Sequence, residues 1–374
     1  MIYIHIPYCH SKCTYCAFFS TVDERSITSY TEAVCKELRQ RSVEHEGHPV
    51  KTLYLGGGTP SILPIEHLRH IFDTLHECYD LNQTEESTIE CNPEDIDSAW
   101  VEAIKTVHPI NRVSIGIQTF DDDCLQLLHR GHTSAQAIEA LRTLDNAGYK
   151  NVSADLIYGL PGQDLSRWDA DLQTLKAIDP GHRFLKHLSC YSLSIEPRSI
   201  LAHQIAKGAI KTTDEETVIA QYRRLKEWSA AEGYEQYEIS SFCQSGFHSR
   251  HNSRYWDRTP YIGIGAAAHS FDGRRRRWNV GHIGNYVNGV AKGGDYYEME
   301  ELSETHAYNE YLMTALRTTK GIEKHRIEQK YRSILDRSIR RFVKVGLIIE
   351  TPSSYKPTEE GILHADGIAS NLFL

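Results

Sequence analysis

The sequence predicts an α/β protein: a partial (β/α)6 TIM-like barrel followed by a mainly helical, winged-helix-like C-terminal domain. Three observations carry this reading. Short apolar runs alternate with amphipathic helical stretches six times between Tyr3 and residue 241, and such alternation builds a parallel sheet with helices outside it. The chemistry-bearing residues fall at the carboxyl ends of successive runs, which a barrel gathers around one mouth and an open doubly wound sheet spreads along a row. Beyond residue 241 the alternation stops, which divides the chain into a barrel over 1–241 and a C-terminal domain over 242–374.

The elements follow in order. Tyr3 to Ile6 reads as a buried strand, and a cysteine loop follows it. Ser29 to Arg41 reads as a helix, with Tyr30, Val34 and Leu38 on one face. Thr52 to Leu55 is the second strand and ends in Gly56-Gly57-Gly58-Thr59-Pro60; Ile65, Leu68, Ile71, Phe72 and Leu75 then mark a helix. Ser87 to Glu90 is the third strand, ended by Cys91-Asn92-Pro93, and Asp97 is placed to cap the helix through Trp100, Val101 and Ile104. Arg112 to Gln118 and Val152 to Tyr158 are the fourth and fifth strands, separated by a helix from Ser134 to Ala147. After Gly159-Leu160-Pro161-Gly162 come a helix burying Trp168 and Leu172, a sixth strand from His187 to Leu193, a charged helix from Asp214 to Ala231 and a short strand over Tyr237 to Ser240.

The remainder begins with the polar-aromatic stretch His251-Asn252-Ser253-Arg254-Tyr255-Trp256 and the Gly/Ala-rich run Tyr261 to His269. Asp272-Gly273 before Arg274 to Arg277 reads as a hairpin turn. Two helices follow from Glu304 onward. Gly346 to Ile349 and Tyr355 to Thr358 then pair as a two-stranded wing.

Composition bounds the function. A chain of 374 residues with net charge -9 is a poor general nucleic-acid binder, although a local basic site remains compatible with it. Nine cysteines, six of them scattered singly, fit a reducing compartment and a metal site better than a disulfide framework. No apolar run reaches the roughly 20 residues of a membrane helix, and no signal peptide is visible. The expected location is the cytoplasm.

Cys9, Cys13 and Cys16 stand at C-x3-C-x2-C spacing directly after the first strand. Thiolates on one loop share a soft metal or cluster. Three is one short of a saturated four-iron site, so one coordination position is left for chemistry.

Together with the Gly56 to Pro60 loop and the polar residues after later strands, this loop resembles the radical S-adenosylmethionine superfamily. The resemblance implies a [4Fe-4S] cluster on Cys9, Cys13 and Cys16, with S-adenosylmethionine chelating the fourth iron and one electron from the cluster cleaving its sulfonium. The runs Tyr3 to Cys9, Glu90-Cys91-Asn92-Pro93, Ser114 to Phe120 and Asp155 to Gln163 are similar to the oxygen-independent coproporphyrinogen III oxidase branch. Within it, Tyr237 to Ser240 and His251 to Trp256 resemble the HemW-type haem chaperones. The resemblance implies that Gly57, Gly58 and Thr59 hold the methionine end, Glu90 and Gln118 the ribose, Arg130 the carboxylate and Asp155 a further polar group. It implies that Tyr3 and Tyr15 line the cluster and adenine.

The porphyrinogen oxidases carry a further cysteine two residues after the third ligand and an extension before the first strand. Here that position is Phe18, and eight residues precede Cys9. The expected function is therefore a haem chaperone that passes haem to an acceptor protein, one that can itself be membrane-associated, and that draws on an electron donor. Oxidative decarboxylation of coproporphyrinogen III is the alternative. His251 is the candidate haem ligand, since neutral imidazole is a usual one, with Tyr255 and Trp256 placed to line a flat ligand. Cys243 reads as a buried thiol and Arg274 to Arg277 as a solvated hairpin, against haem ligation and propionate pairing respectively.

Overall fold

The computed structural model describes residues 1–45 and 47–374. Nine strands form the main sheet: β1 (Ile2–Ile6), β2 (Thr52–Gly57), β3 (Glu86–Cys91), β4 (Arg112–Gln118), β5 (Val152–Tyr158), β6 (Leu185–Ser192), β7 (Glu235–Glu238), β8 (Ser241–Cys243) and β9 (Ile262–Ile264). Their order is β7-β8-β6-β5-β4-β3-β2-β1-β9. β1 to β6 run parallel in sequence order with no reversal, which is barrel order rather than the order of a doubly wound sheet. The two edges, β7 and β9, do not pair with each other, so the barrel is partial.

Parallel strands must be covered on both faces. Ile2, Ile4 and Ile6 are fully buried against the outer helices, among them α1 (Ile27–Arg41), which places Tyr30, Val34 and Leu38 in the same core. Tyr3 and His5 alternate to the inner face. Most of the outer helices start where side-chain caps dictate. α2 (Ile65–Cys78) follows Pro64, and α3 (Ser98–Lys105) begins where Asp97 accepts from Trp100 N at 2.7 Å. α4 (Asp122–Leu127) and α6 (Leu165–Ile178) are capped by Asp121 and Asp164, while α5 (Ser134–Asn146) has a full capping box from Thr133 and Gln136. α7 (Ile200–Ala206) and α8 (Glu215–Ala231) complete this part.

One expectation is corrected here, and two stretches left without a secondary-structure assignment gain one. The short strand expected over Tyr237 to Ser240 is two antiparallel strands, β7 and β8, with a register shift between Gln236 and Glu238, and β8 runs antiparallel to β6. The polar-aromatic stretch is a helix, α9 (Arg250–Trp256), and the Gly/Ala-rich run supplies β9, which pairs parallel to β1. Gly263 is required there, because a Cβ would lie 1.9 Å from the His269 carbonyl oxygen. The boundary expected at 241–242 thus runs through β8, and a strand from beyond it completes the sheet.

The apolar cores divide later. One spans the barrel and reaches Tyr296, with Ile362 packing back onto it; the second runs from Tyr308 to Leu372. Between them lies an antiparallel sheet of β10 (His269–Phe271), β11 (Arg275–Asn279) and β12 (Tyr297–Glu301), with α10 (Ile283–Lys292) inserted. The last module contains α11 (Glu304–Leu316), α12 (Gln329–Lys344) and a sheet of β13 (Ile322–Glu323), β14 (Ile348–Glu350) and β15 (Ser354–Pro357), followed by α13 (Glu359–Leu363) and α14 (Ala365–Ser370). The expected wing is present as β14 and β15, and β13 makes it three-stranded.

Candidate functional site

The cysteine loop is pinned along its length. At its base Thr21 N donates to Pro7 O at 2.7 Å and Cys9 N to Thr21 O at 2.9 Å. Midway, Thr14 N donates to Leu128 O at 3.0 Å, and Thr14 O accepts from Leu201 N at 2.9 Å. On its outer side His10 Nε2 meets Asp95 Oδ1 at 2.7 Å. Cys9, Cys13 and Cys16 are free and partly exposed. Cys9 Sγ accepts from Thr59 Oγ1 at 3.6 Å and Cys13 Sγ from Arg130 Nη1 at 3.5 Å. Burial holds the Cys9 and Cys16 thiols above their ordinary range. Among the described residues no three His, Cys, Asp or Glu side chains converge on one ion. A cubane cluster asks for something else, since each thiolate takes a different iron.

The loop after β2 closes on the same place. Gly58 N donates to Ile6 O at 2.8 Å and Thr59 N to Tyr8 O at 2.7 Å. Gly57 has φ +115°, and a Cβ there would lie 2.4 Å from the His5 ring; at Gly58 it would lie 2.6 Å from Tyr8 O. Side chains are therefore excluded beside the thiols. His5 is oriented by Phe19: its Nε2 donates to the Phe19 carbonyl at 3.1 Å, so Nδ1 accepts from Tyr3 OH at 2.9 Å. Burial lowers the His5 pKa to about 4, which keeps the ring neutral.

Glu90 leaves β3 and accepts twice, from Tyr54 OH at 2.6 Å and Gly57 N at 3.0 Å. Burial pushes its carboxyl up in spite of these donors. Asn92 links the loops: its Nδ2 donates to Thr59 Oγ1 at 3.1 Å, while its Oδ1 accepts from Arg130 Nη2 at 2.7 Å. Arg130 Nη2 also donates to Gly116 O at 2.7 Å. Gln118 sits at a bulge of β4 with φ 68°, a left-handed conformation that costs a non-glycine residue about 1 kcal/mol. Asp155 on β5 accepts from Ser114 Oγ at 2.8 Å and Ser153 Oγ at 3.0 Å, and burial raises its pKa.

The structure thus brings Cys9, Cys13, Cys16, Gly57, Gly58, Thr59, Glu90 and Arg130 into one linked cluster, with Gln118 and Asp155 on the adjoining strands. Tyr15 packs against Cys124, Leu128, Ile157 and Leu160 at the same mouth, and Tyr3 lines the inner face below through His5. The donor set fits a cluster and its chelating cofactor. Three thiols share a loop with a guanidinium beside one of them, and the backbone cradle has no room for a Cβ. The N–H groups of Gly57, Gly58 and Thr59 are already spent, so this loop offers a ligand acceptors rather than donors, the sense an ammonium group requires.

His251 is not brought to this mouth. Its ring is fully buried, with Nδ1 held by Thr52 Oγ1 at 2.9 Å and Nε2 by Tyr255 OH at 3.1 Å. Both nitrogens are taken, so this arrangement presents none to an iron, and the haem-ligand expectation is corrected. Tyr255 instead packs edge-on against Tyr261, and Trp256 lies under Arg317. Cys243 is fully buried. Arg276 and Arg277 turn inward and pair with Glu310 at 3.0 Å and Glu37 at 3.4 Å, while Arg274 and Arg275 are exposed at the tip of the β10–β11 hairpin.

Sequence reasoning missed the connecting residues. Tyr54 holds Glu90, Asn92 joins the glycine loop to Arg130, and Ser114 and Ser153 hold Asp155. Asn92 and Ser114 lay inside quoted motifs; Tyr54 and Ser153 were readable only as inward positions, two residues before a mouth residue on the same strand.

Residues 3–175 match the Radical SAM superfamily. The chain is 32% identical over 369 residues to Heme chaperone HemW of Bacillus subtilis, covering 96% of each chain. It is 34% identical to Heme chaperone HemW of Synechocystis over 86% of this chain and 78% of that one. The fold is similar to that of coproporphyrinogen III oxidase (HemN) from Escherichia coli, with a TM-score of 0.85 at 21% identity, over 100% of this chain and 89% of that one. With its three-cysteine loop, its partial barrel and end-to-end relatives above 30% identity, the chain belongs to the HemW-type branch of the radical SAM superfamily.

Proposed function

We propose that this protein is a haem chaperone that binds haem and passes it to an acceptor protein. The observation that carries the reading is the match to Heme chaperone HemW of Bacillus subtilis over 96% of both chains. Cys9, Cys13 and Cys16 would hold a [4Fe-4S] cluster, and the cradle of Gly57, Gly58, Thr59, Glu90, Gln118, Arg130 and Asp155 would hold S-adenosylmethionine. Bound there, the pair supplies one-electron cleavage chemistry at a sulfonium, which requires an electron donor. The chain's own part is positional. Arg130 places positive charge beside Cys13 while bracing Asn92 and Gly116, and Glu90 and Tyr54 fix the glycine loop. His5 stays neutral beneath it.

Oxidative decarboxylation of coproporphyrinogen is the second reading, favoured by the fold shared with HemN. Against it, Phe18 occupies the position of that branch's further cysteine and is 73% exposed. Among the described residues no helix is long and apolar enough to cross a membrane, and the working location we infer is the cytoplasm. Anaerobic reconstitution of the cluster followed by haem titration tests the reading. Saturable, stoichiometric binding supports it, and its absence in a cluster-loaded preparation rejects it.

A further inference from the structure

In a chain of net charge -9, helix α12 carries six cations, Lys330, Arg332, Arg337, Arg340, Arg341 and Lys344, against the single acid Asp336. Its inner face, Leu335 and Ile339, is buried in the second core. Its outer face is exposed and made of Ile334, Arg337, Arg340, Arg341, Lys344 and, just past its end, Val345. Among the described residues Arg337, Arg340 and Lys344 form no ion pair. Asp336 is occupied by Tyr355 OH at 2.7 Å, and Glu350, near Arg340, by Lys324 Nζ at 2.7 Å. Arg341 is directed to Asn371 O at 3.0 Å. Compensation of the helix macrodipole accounts for cations in the last turn. It does not account for Arg337, nor for Val345 and Ile334 standing 67% and 40% exposed among them.

We infer that this face docks the protein onto an anionic lipid surface. Cations interleaved with exposed aliphatic side chains suit a headgroup layer, where the charges meet lipid phosphates and the aliphatic groups enter the acyl boundary. A nucleic-acid backbone would match the charges and leave Ile334 and Val345 without a role. A second copy meeting this face through the same face would set cation against cation. The inference does not rest on haem binding.

The test is flotation of the full-length protein with vesicles of phosphatidylcholine alone and of phosphatidylcholine with one quarter phosphatidylglycerol. The protein is expected to float with the anionic vesicles only and to be released at about 0.5 M salt, where the Debye length is about 4 Å. Arg337→Gln/Arg340→Gln/Lys344→Gln is expected to weaken binding about a hundredfold, on the order of fivefold per cation. The same charge change made elsewhere, Arg142→Gln/Lys150→Gln/Lys207→Gln, is expected to leave it unaltered. Ile334→Ser/Val345→Ser is expected to weaken it about tenfold. Equal binding to neutral vesicles, no binding to anionic ones, or unchanged binding by the α12 triple variant overturns the proposal. So does displacement from vesicles by duplex DNA combined with no effect of Ile334→Ser/Val345→Ser.

Discussion

The carboxylate of Glu90 accepts the backbone N–H of Gly57 at 3.0 Å, which ties the end of β3 to the glycine loop of β2. Tyr54 holds the other oxygen at 2.6 Å. Tyr54→Phe removes that donor and leaves a half-buried carboxylate oxygen short of one partner. The expected cost is about 1–2 kcal/mol of stability by urea unfolding, with S-adenosylmethionine binding weakened about tenfold by calorimetry. Unchanged affinity would show that Glu90 does not need Tyr54 to face the cofactor.

Gly58 tests the cradle from the backbone side. A Cβ there would lie 2.6 Å from Tyr8 O and 2.9 Å from Ile6 O, both main-chain atoms of the segment that leads into Cys9. Neither can swing aside. Gly58→Ala is expected to destabilise the fold by about 1–3 kcal/mol and to lower the iron retained after anaerobic reconstitution. Gly148→Ala, at φ +86° with open space around it, is the control: it carries backbone strain alone and is expected to retain iron fully.

Arg130 contributes geometry as well as charge. Its Nη2 reaches both Asn92 Oδ1 and Gly116 O at 2.7 Å while Nη1 faces Cys13. A lysine ammonium keeps the charge and loses the fork. Arg130→Lys is therefore expected to keep the cluster, read from its visible absorbance, and to lose about tenfold or more in S-adenosylmethionine affinity. Unchanged S-adenosylmethionine affinity in Arg130→Lys would assign Arg130 to charge balance alone.

His251 gives a pH signature independent of the mouth. Burial, followed by the amino terminus, Arg112 and Arg254, lowers its pKa to about 3. The unfolded chain protonates a histidine near pH 6.5, so this stability is complete above that pH and is lost as pH falls toward 3. The loss attributable to His251 is about 2 kcal/mol by pH 5. Asp171, raised by burial to about 6, acts in the opposite sense, losing stability as pH rises. The informative quantity is the difference between wild type and His251→Phe, measured by urea unfolding from pH 7 to pH 5. The variant is expected to show the shallower decline.

Much of this architecture was readable because its causes are local. The bounds of β4 and β5 follow from apolar patterning, and the start of α3 from its capping Asp97. The cluster loop was legible because thiol spacing is itself the chemistry. What escaped depends on distant pairing. β9 is three residues long, too short for any period, and exists because β1 leaves an open edge. The left-handed Gln118 is imposed by a bulge against β5 that no local signal marks. His251 carried the residue type of a haem ligand, yet Thr52 and Tyr255, from the sheet and from its own helix, take both nitrogens.

The central claim is that this chain holds and hands over haem rather than decarboxylating a porphyrinogen. It is tested most directly on one reconstituted, anaerobic preparation supplied with S-adenosylmethionine and a reductant. Haem titration is followed by absorbance, and tetrapyrrole products are analysed after incubation with coproporphyrinogen III. The account predicts stoichiometric haem binding and no protoporphyrinogen. Protoporphyrinogen formation without saturable haem binding would contradict it.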